Sequence, residues 1–450
     1  MTEPAAPTRL QRLDRLRFSR RHGRLLAGSG VGWALDAMDV GLISFILTAL
    51  VQQWQLEPTQ ASIIASSGFV GMALGASVGG ALADRIGRRT VFALTLVVYG
   101  VATGLSALTP APGGGVSVWT AVLVLAGLRL LVGLGLGAEL PVASTLVSEF
   151  SPAAIRGRVI VLLEAFWAVG WTIAALVAFL LVPALPEGWR WAFALGALPA
   201  LWAIVIRRGL PESVRFLESR GRHDEAERVV RGFEDEQGVT PVDSPSLEAH
   251  RAPPVWALWS SEYAGRTAAL WLTWFGVNFA YYGAFIWMPT LLVQAGFPLV
   301  RSFEFTLIIT VAQLPGYAAS AFLIERWGRR ATLAVFLLGS AVSAVGFGLA
   351  SSEAWVLVAG CLLSFFNLGA WGALYAVTPE IYPTTMRATG SGGAAAFGRL
   401  ASIVAPLVVP MIAATGGRAP VFVLLAGAFA VACVAAILLP EWRGRQLEEA

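Results

Sequence analysis

The chain has 450 residues, a length that by itself would allow two or three soluble domains. Hydrophobic residues make up 56 % and charged residues only 13 %, with a mean hydropathy of +0.69, so there are too few charges to cover a soluble surface. All 32 basic residues are arginine, which excludes a Walker A phosphate loop and a lysine Schiff base, and with them a pump carrying its own ATPase. Cys361 and Cys433 lie in apolar stretches, so neither a disulfide framework nor a metal cluster is expected, and no cofactor is implied. His22, His223 and His250 fall outside the apolar runs.

Twelve apolar runs of spanning length, roughly 20 residues each, follow in chain order. They cover 25–50, 60–83, 90–109, 117–140, 158–182 and 190–207, then 265–294, 301–324, 331–350, 354–378, 388–412 and 419–439. The expected organisation is a tail at 1–24, a six-helix bundle at 25–208 and a linker with short helices at 209–264. A second bundle at 265–440 and a tail at 441–450 complete it. The fold class is an all-α membrane protein of twelve transmembrane helices in two six-helix pseudo-repeats.

Placing both termini in the cytoplasm puts 27 arginines on that side and three, Arg190, Arg301 and Arg418, on the other. The net charge of +4 therefore reads as positive-inside anchoring, the N-terminal tail included, and not as a nucleic-acid footprint. Seventeen tryptophans suit interfacial belts and apolar cavities. A multi-pass protein of the cell inner (plasma) membrane follows, surrounded by lipid and expected to be monomeric.

Two motifs repeat. Gly80-x3-Asp84-x2-Gly87-Arg88-Arg89 joins the second and third spans, and Ala321-x3-Glu325-x2-Gly328-Arg329-Arg330 joins the eighth and ninth. Glu149-x2-Pro152-x3-Arg156 follows span four, and Glu380-x2-Pro383-x3-Arg387 follows span ten. Repetition at nearly constant offset indicates a six-plus-six duplication.

These turns, the duplicated E-x-x-P-x-x-x-R and the twelve spans resemble the major facilitator superfamily. Pro211-Glu212-Ser213-Val214-Arg215-Phe216-Leu217 resembles the PESPRFL signature of sugar porters. Pro440-Glu441 with Leu447-Glu448-Glu449 resembles its C-terminal counterpart. Within the superfamily the chain is most similar to proton-coupled aromatic-acid and nicotinate symporters, whose D-G-x-D element matches Asp36-x2-Asp39, with Ala37 in place of the glycine. The resemblance also implies functional arginines at Arg129, Arg387 and Arg399 and an acid at Glu149. It implies a gating latch in which Asp84, Arg88, Glu149, Arg156, Glu325, Arg329, Glu380 and Arg387 pair where the halves meet.

Charges inside spans cost about 2.5–3.5 kcal/mol each and need a reason. Asp36 and Asp39, on one face of span one at i and i+3, are candidate proton carriers, because no histidine lies within a span. Arg399, mid-way through span eleven, is the candidate for a substrate carboxylate. Arg129, mid-way through span four, either joins it or pairs permanently with Asp36 or Asp39. Glu139 and Glu164 read as snorkelling to the interface or pairing with these arginines. Asn278, Tyr281, Tyr282, Gln313, Asn367 and Trp371 are candidate cavity lining, suited to a small acid with a flat body.

The expected function is proton-coupled symport of an aromatic or heterocyclic carboxylate, such as nicotinate or a benzoate, by alternating access. A sugar or polyol symporter of the same fold is the first alternative, supported by the porter-like motifs and opposed by the intramembrane arginines. An exporter of drugs or organic cations is the second. An enzyme is not expected, since the spans lack a nucleophile–base pair.

Overall fold

The computed structural model describes residues 6–240, 242, 254–383 and 386–441. His250 and the Leu447-Glu448-Glu449 motif lie outside the described residues. The first half contains α1 (Arg9–Asp14), α2 (Arg20–Gln53), α3 (Pro58–Ile86), α4 (Arg88–Ser106), α5 (Val118–Phe150), α6 (Arg156–Leu181), α7 (Gly188–Leu195) and α8 (Leu198–Gly209). Two short helices follow, α9 (Val214–Ser219) and α10 (His223–Asp235). The second half contains α11 (Ala264–Phe285), α12 (Met288–Gln294), α13 (Leu299–Val311), α14 (Gln313–Trp327), α15 (Arg329–Gly348), α16 (Glu353–Val377), α17 (Arg387–Gly416) and α18 (Arg418–Ile437).

Eleven of these helical segments are long and apolar enough to cross a membrane. The twelfth crossing is made by α11 with α12; α11 carries two tryptophans, two tyrosines and Asn278, which lower its hydropathy. Three crossings are interrupted, between α7 and α8, α11 and α12, and α13 and α14. Each interruption has one cause. The first helix of the pair ends at Leu195, Phe285 or Val311, and four residues later stands Pro199, Pro289 or Pro315. Proline has no N–H to donate back over one turn and crowds that carbonyl, so the helix stops there. α17 carries Pro406 and Pro410 and stays continuous.

Each half is a bundle closed by small residues. In the first, α3 lies along α5 because Gly71 and Gly75 face the α5 backbone; a Cβ at either would come 2.2 Å from the Leu130 or Leu134 carbonyl oxygen. The duplicated turns also obey one rule. Gly87 (φ +97°) and Gly328 (φ +91°) separate α3 from α4 and α14 from α15 in a conformation that favours glycine. The N-terminus of the helix that follows is capped by a distant carboxylate. Glu212 Oε1 accepts from the Arg89 backbone N–H at 3.0 Å, and Glu441 Oε2 accepts from the Arg330 N–H at 3.0 Å. Negative charge at a helix N-terminus meets unsatisfied N–H groups and the positive end of the dipole. The Pro-Glu of both porter-like signatures is thus a helix cap.

The N-terminal tail departs from simple anchoring. α1 docks on α9 and α10 through Arg9, which donates to Glu218 and Glu227 at 2.9 Å, and Arg12, which donates to Glu234 at 2.6 and 2.8 Å. Both arginines are buried. A guanidinium out of water needs carboxylate partners, and the sequence 218–234 supplies three on neighbouring helix faces. Burial works against charge on Glu227, but hydrogen bonds from Arg12, Arg231 and Arg9 outweigh it and hold its carboxyl down at about 2.

The halves meet along α3 with α17, α6 with α13 and α14, and α2 with α12. At the arginine-rich end Arg158 on α6 pairs with Glu325 on α14 at 2.5 Å. At the opposite end Thr48 and Thr290 hydrogen-bond at 2.7 Å and Phe45 packs edge-on to Phe303. Between these contacts lies a central chamber.

Candidate functional site: a central aromatic chamber

The chamber is nearly closed, with about 20 Å³ of free space, room for little more than one water molecule. Its walls come from both halves. α2 gives Trp33 and α6 gives Glu164 and Trp167; α11 gives Tyr281 and Tyr282, α14 gives Tyr317, α16 gives Trp371 and Tyr375, and α17 gives Arg399. Trp167 Nε1 donates to Tyr281 Oη at 2.8 Å across the interface, and Phe69 meets Tyr282 edge-on at 4.6 Å. The indole N–H groups of Trp33 and Trp371 and one oxygen of Glu164 have no hydrogen-bond partner among the described residues. They are buried polar atoms in the wall of a cavity, open to a ligand.

The two intramembrane arginines differ in kind. Arg129 donates to Asp39 Oδ2 at 2.9 Å, and Thr103 Oγ1 donates to Asp39 Oδ1 at 2.5 Å. All three side chains are buried inside the first half, away from the chamber. Arg399 donates to Tyr282 Oη at 3.3 Å and forms no salt bridge among the described residues. It is a permanent cation in the chamber wall, which Glu164 also lines.

Of the expected lining, Tyr281, Tyr282 and Trp371 reach the chamber. Asn278 does not: its amide donates to the Trp274 carbonyl at 2.8 Å and accepts from Ser402 at 3.1 Å, tying α11 to α17. Gln313 and Asn367 are buried beside the chamber without lining it, and their amide atoms have no hydrogen-bond partner among the described residues. Asp36 and Asp39 sit behind the chamber wall, fully buried. Glu139 and Glu164 do not snorkel; they are 0 % and 3 % exposed. Trp33, Trp167, Tyr317 and Tyr375 were absent from the sequence expectation. An aromatic ring in an apolar run looks the same in sequence whether it faces lipid, a neighbour or a cavity.

The latch residues group within each half. Arg88 pairs with Glu149 at 2.7 Å, and Arg329 with Glu380 at 2.9 Å. Glu149 also accepts from Ser213 Oγ at 2.7 Å and the Arg215 N–H at 2.8 Å, fastening α5 to the start of α9. Arg156 turns to Asp14 on α1 and to the carbonyls of Ser148 and Ser151. Asp84 is exposed, without an ion-pair partner among the described residues, and Arg387 opens α17 at the same end. Of the eight, Glu325 makes a salt bridge across the halves, and its partner is Arg158, two residues beyond the motif arginine.

The comparisons agree with this architecture. The family model "Sugar (and other) transporter" matches residues 24–450. The niacin transporter NiaP of Acinetobacter baylyi is 48 % identical over 444 residues, covering 98 % of each chain. The xylose transporter XylE of E. coli, in a partially occluded inward-open conformation, superposes with a TM-score of 0.76 at 19 % identity, covering 95 % of this chain and 100 % of that one. The human organic anion transporter MFSD10 (TETRAN) superposes with a TM-score of 0.68 at 18 % identity, covering 92 % of this chain and 99 % of that one. The chain is therefore a multi-pass membrane transporter of a small molecule, not an enzyme, and it belongs to the sugar (and other) transporter family of the major facilitator superfamily.

Proposed function

We propose that the protein carries nicotinate, or a closely similar single-ring carboxylate, together with a proton by alternating access across the plasma membrane. Both termini and the linker face the cytoplasm in this reading, and the two bundles, 25–208 and 265–440, rock about the chamber in a monomer. The observation that carries the proposal is Arg399: a cation without a salt bridge, in a small chamber walled by flat rings. A carboxylate takes the guanidinium as a charge-assisted pair. Once the chamber widens, a planar ring packs between Trp33, Trp167, Tyr317 and Trp371, and the unpartnered indole N–H of Trp33 or Trp371 is a donor for a ring nitrogen. The likeness to a niacin transporter over 98 % of the chain supports the same substrate. A sugar would want several neutral hydrogen-bonding groups, and the chamber offers mainly rings and one cation.

Arg158 with Glu325 at one end, and Thr48 with Thr290 at the other, close the chamber on both sides, which supports an occluded intermediate. Opening inward then breaks the Arg158–Glu325 pair, while the pairs inside each half, Arg88–Glu149 and Arg329–Glu380, hold each bundle rigid as it moves. Asp84 and Arg387 join the inner gate during that motion. One proton per nicotinate monoanion moves no net charge, so the pH gradient alone drives uptake.

The test is uptake of labelled nicotinate into liposomes holding the purified protein. An acid exterior should drive accumulation, and a membrane potential without a pH gradient should not. Accumulation indifferent to the pH gradient would remove proton coupling, and uptake of xylose in place of nicotinate would remove the substrate.

A further inference from the structure

Three buried polar groups stand together behind the chamber: Asp36 on α2, Tyr99 on α4 and Glu139 on α5, exposed 1 %, 0 % and 0 %. Glu139 reaches the face of α2 that carries Asp36, so the two carboxyls are neighbours. Gly32, one turn before Asp36 on the same helix face, makes room for this; a Cβ there would lie 3.1 Å from Glu139 Oε1. Neither Asp36 oxygen, nor Glu139 Oε1, nor the neighbouring Tyr99 hydroxyl has a hydrogen-bond partner among the described residues. Glu139 Oε2 accepts from Thr95 Oγ1 at 3.3 Å. Two ionised carboxylates offer only acceptors and repel, most of all where water is excluded. As neighbours they are stable when a hydrogen lies between them.

Asp39 cannot be the partner that the i, i+3 spacing suggests. Its charge is already matched by Arg129 and its second oxygen is bonded to Thr103. We propose that Asp36 and Glu139 share one proton, and that this acid pair, not Asp36 with Asp39, is the proton carrier of the transport cycle. The inference rests on the proton-coupled reading above.

The charge balance is simple. Loading transfers H⁺ from water to one carboxylate, forms one O–H bond bridged to the other, and takes the pair from −2 to −1. Release breaks that O–H bond and returns H⁺ to water. The groups facing the pair are Tyr99, Asp39, which is itself paired with Arg129, and, from α17, Arg399; the charges of Asp39 and Arg399 act on Asp36 with opposite sign. Glu164 faces Arg399 from α6. The field of Arg399 favours the empty, doubly charged pair. A substrate carboxylate on Arg399 cancels that field and favours the loaded pair. Bound anion and bound proton then each strengthen the other, which is the sign that symport requires.

Isothermal titration of nicotinate into purified protein, in buffers of different ionisation enthalpy at neutral pH, reads the protons taken up on binding. The wild type should absorb up to one proton per nicotinate, and Glu139→Gln and Asp36→Asn, which keep shape, should each absorb less than about a tenth of that. Uptake by Glu139→Gln equal to the wild type would overturn the proposal. An infrared spectrum of each protein without ligand, taken in acid strong enough to load the pair, gives a second reading. The wild-type carboxylic-acid C=O band should vanish or move in both single variants, and a band unchanged in either one would also overturn it. If nicotinate does not bind the wild type, the substrate reading fails, and the infrared comparison still decides whether the pair shares a proton.

Discussion

Arg129 and Asp39 form a buried ion pair at 2.9 Å inside the first half, and this contact assigns the two intramembrane arginines different tasks. A cation already paired and shielded from the chamber cannot receive an anion. In the proposed function Arg399 does so.

The pair makes a prediction about stability. Removing one partner of a buried ion pair leaves an uncompensated charge, at a cost of about 3–5 kcal/mol. Arg129→Gln should therefore lower the unfolding midpoint in detergent markedly. The double variant Arg129→Gln with Asp39→Asn should recover most of the loss. A single variant as stable as the wild type would mean the pair carries little structural weight.

The carboxylate caps give a second. Glu212→Ala and Glu441→Ala should each cost about 1 kcal/mol, the typical value of a helix cap. Because the two caps occupy corresponding places in the halves, the losses should be similar in size and additive. Thermal unfolding of the two single variants and the double variant checks this. A destabilisation confined to one half would break the equivalence.

The α1 clasp gives a third, with a definite sign. Glu227 is held at about 2 by its arginines, below the ordinary glutamate value of about 4.3. The clasp's contribution is thus complete above pH ~4.3 and is lost as pH falls from there through ~2. Probes on α1 and α10 should keep a constant separation from neutral pH to about pH 5 and move apart in stronger acid. Glu227→Gln should produce the separation at neutral pH. A clasp that loosens on raising the pH from neutrality would contradict this assignment.

Much of the architecture is legible in the sequence because its causes are local. Apolar runs give the spans, and the recurrence of Gly87-Arg88-Arg89 as Gly328-Arg329-Arg330 gives the duplication. The three helix interruptions were equally local, marked by Pro199, Pro289 and Pro315, yet proline in a span does not always break it, as Pro406 and Pro410 show. What stayed hidden depends on contacts between distant segments. Glu212 caps α4 from 123 residues away, and Arg158 meets Glu325 from 167. Arg399 stood out because a charge in an apolar run is costly. Trp33 and Tyr375 did not, because their chamber-facing side is set by helix rotation. Asn278 was drawn to the site by its polarity and is used instead to join α11 to α17.

The most direct measurement is nicotinate affinity in the wild type and in Arg399→Ala, with neutral nicotinamide as control. A charge-assisted hydrogen bond is worth about 1.5–3 kcal/mol, so the substitution should weaken nicotinate binding by roughly 10–150-fold. Nicotinamide should bind more weakly than nicotinate to the wild type and be nearly indifferent to the substitution. Nicotinate binding Arg399→Ala as tightly as the wild type would contradict an anion site at that guanidinium.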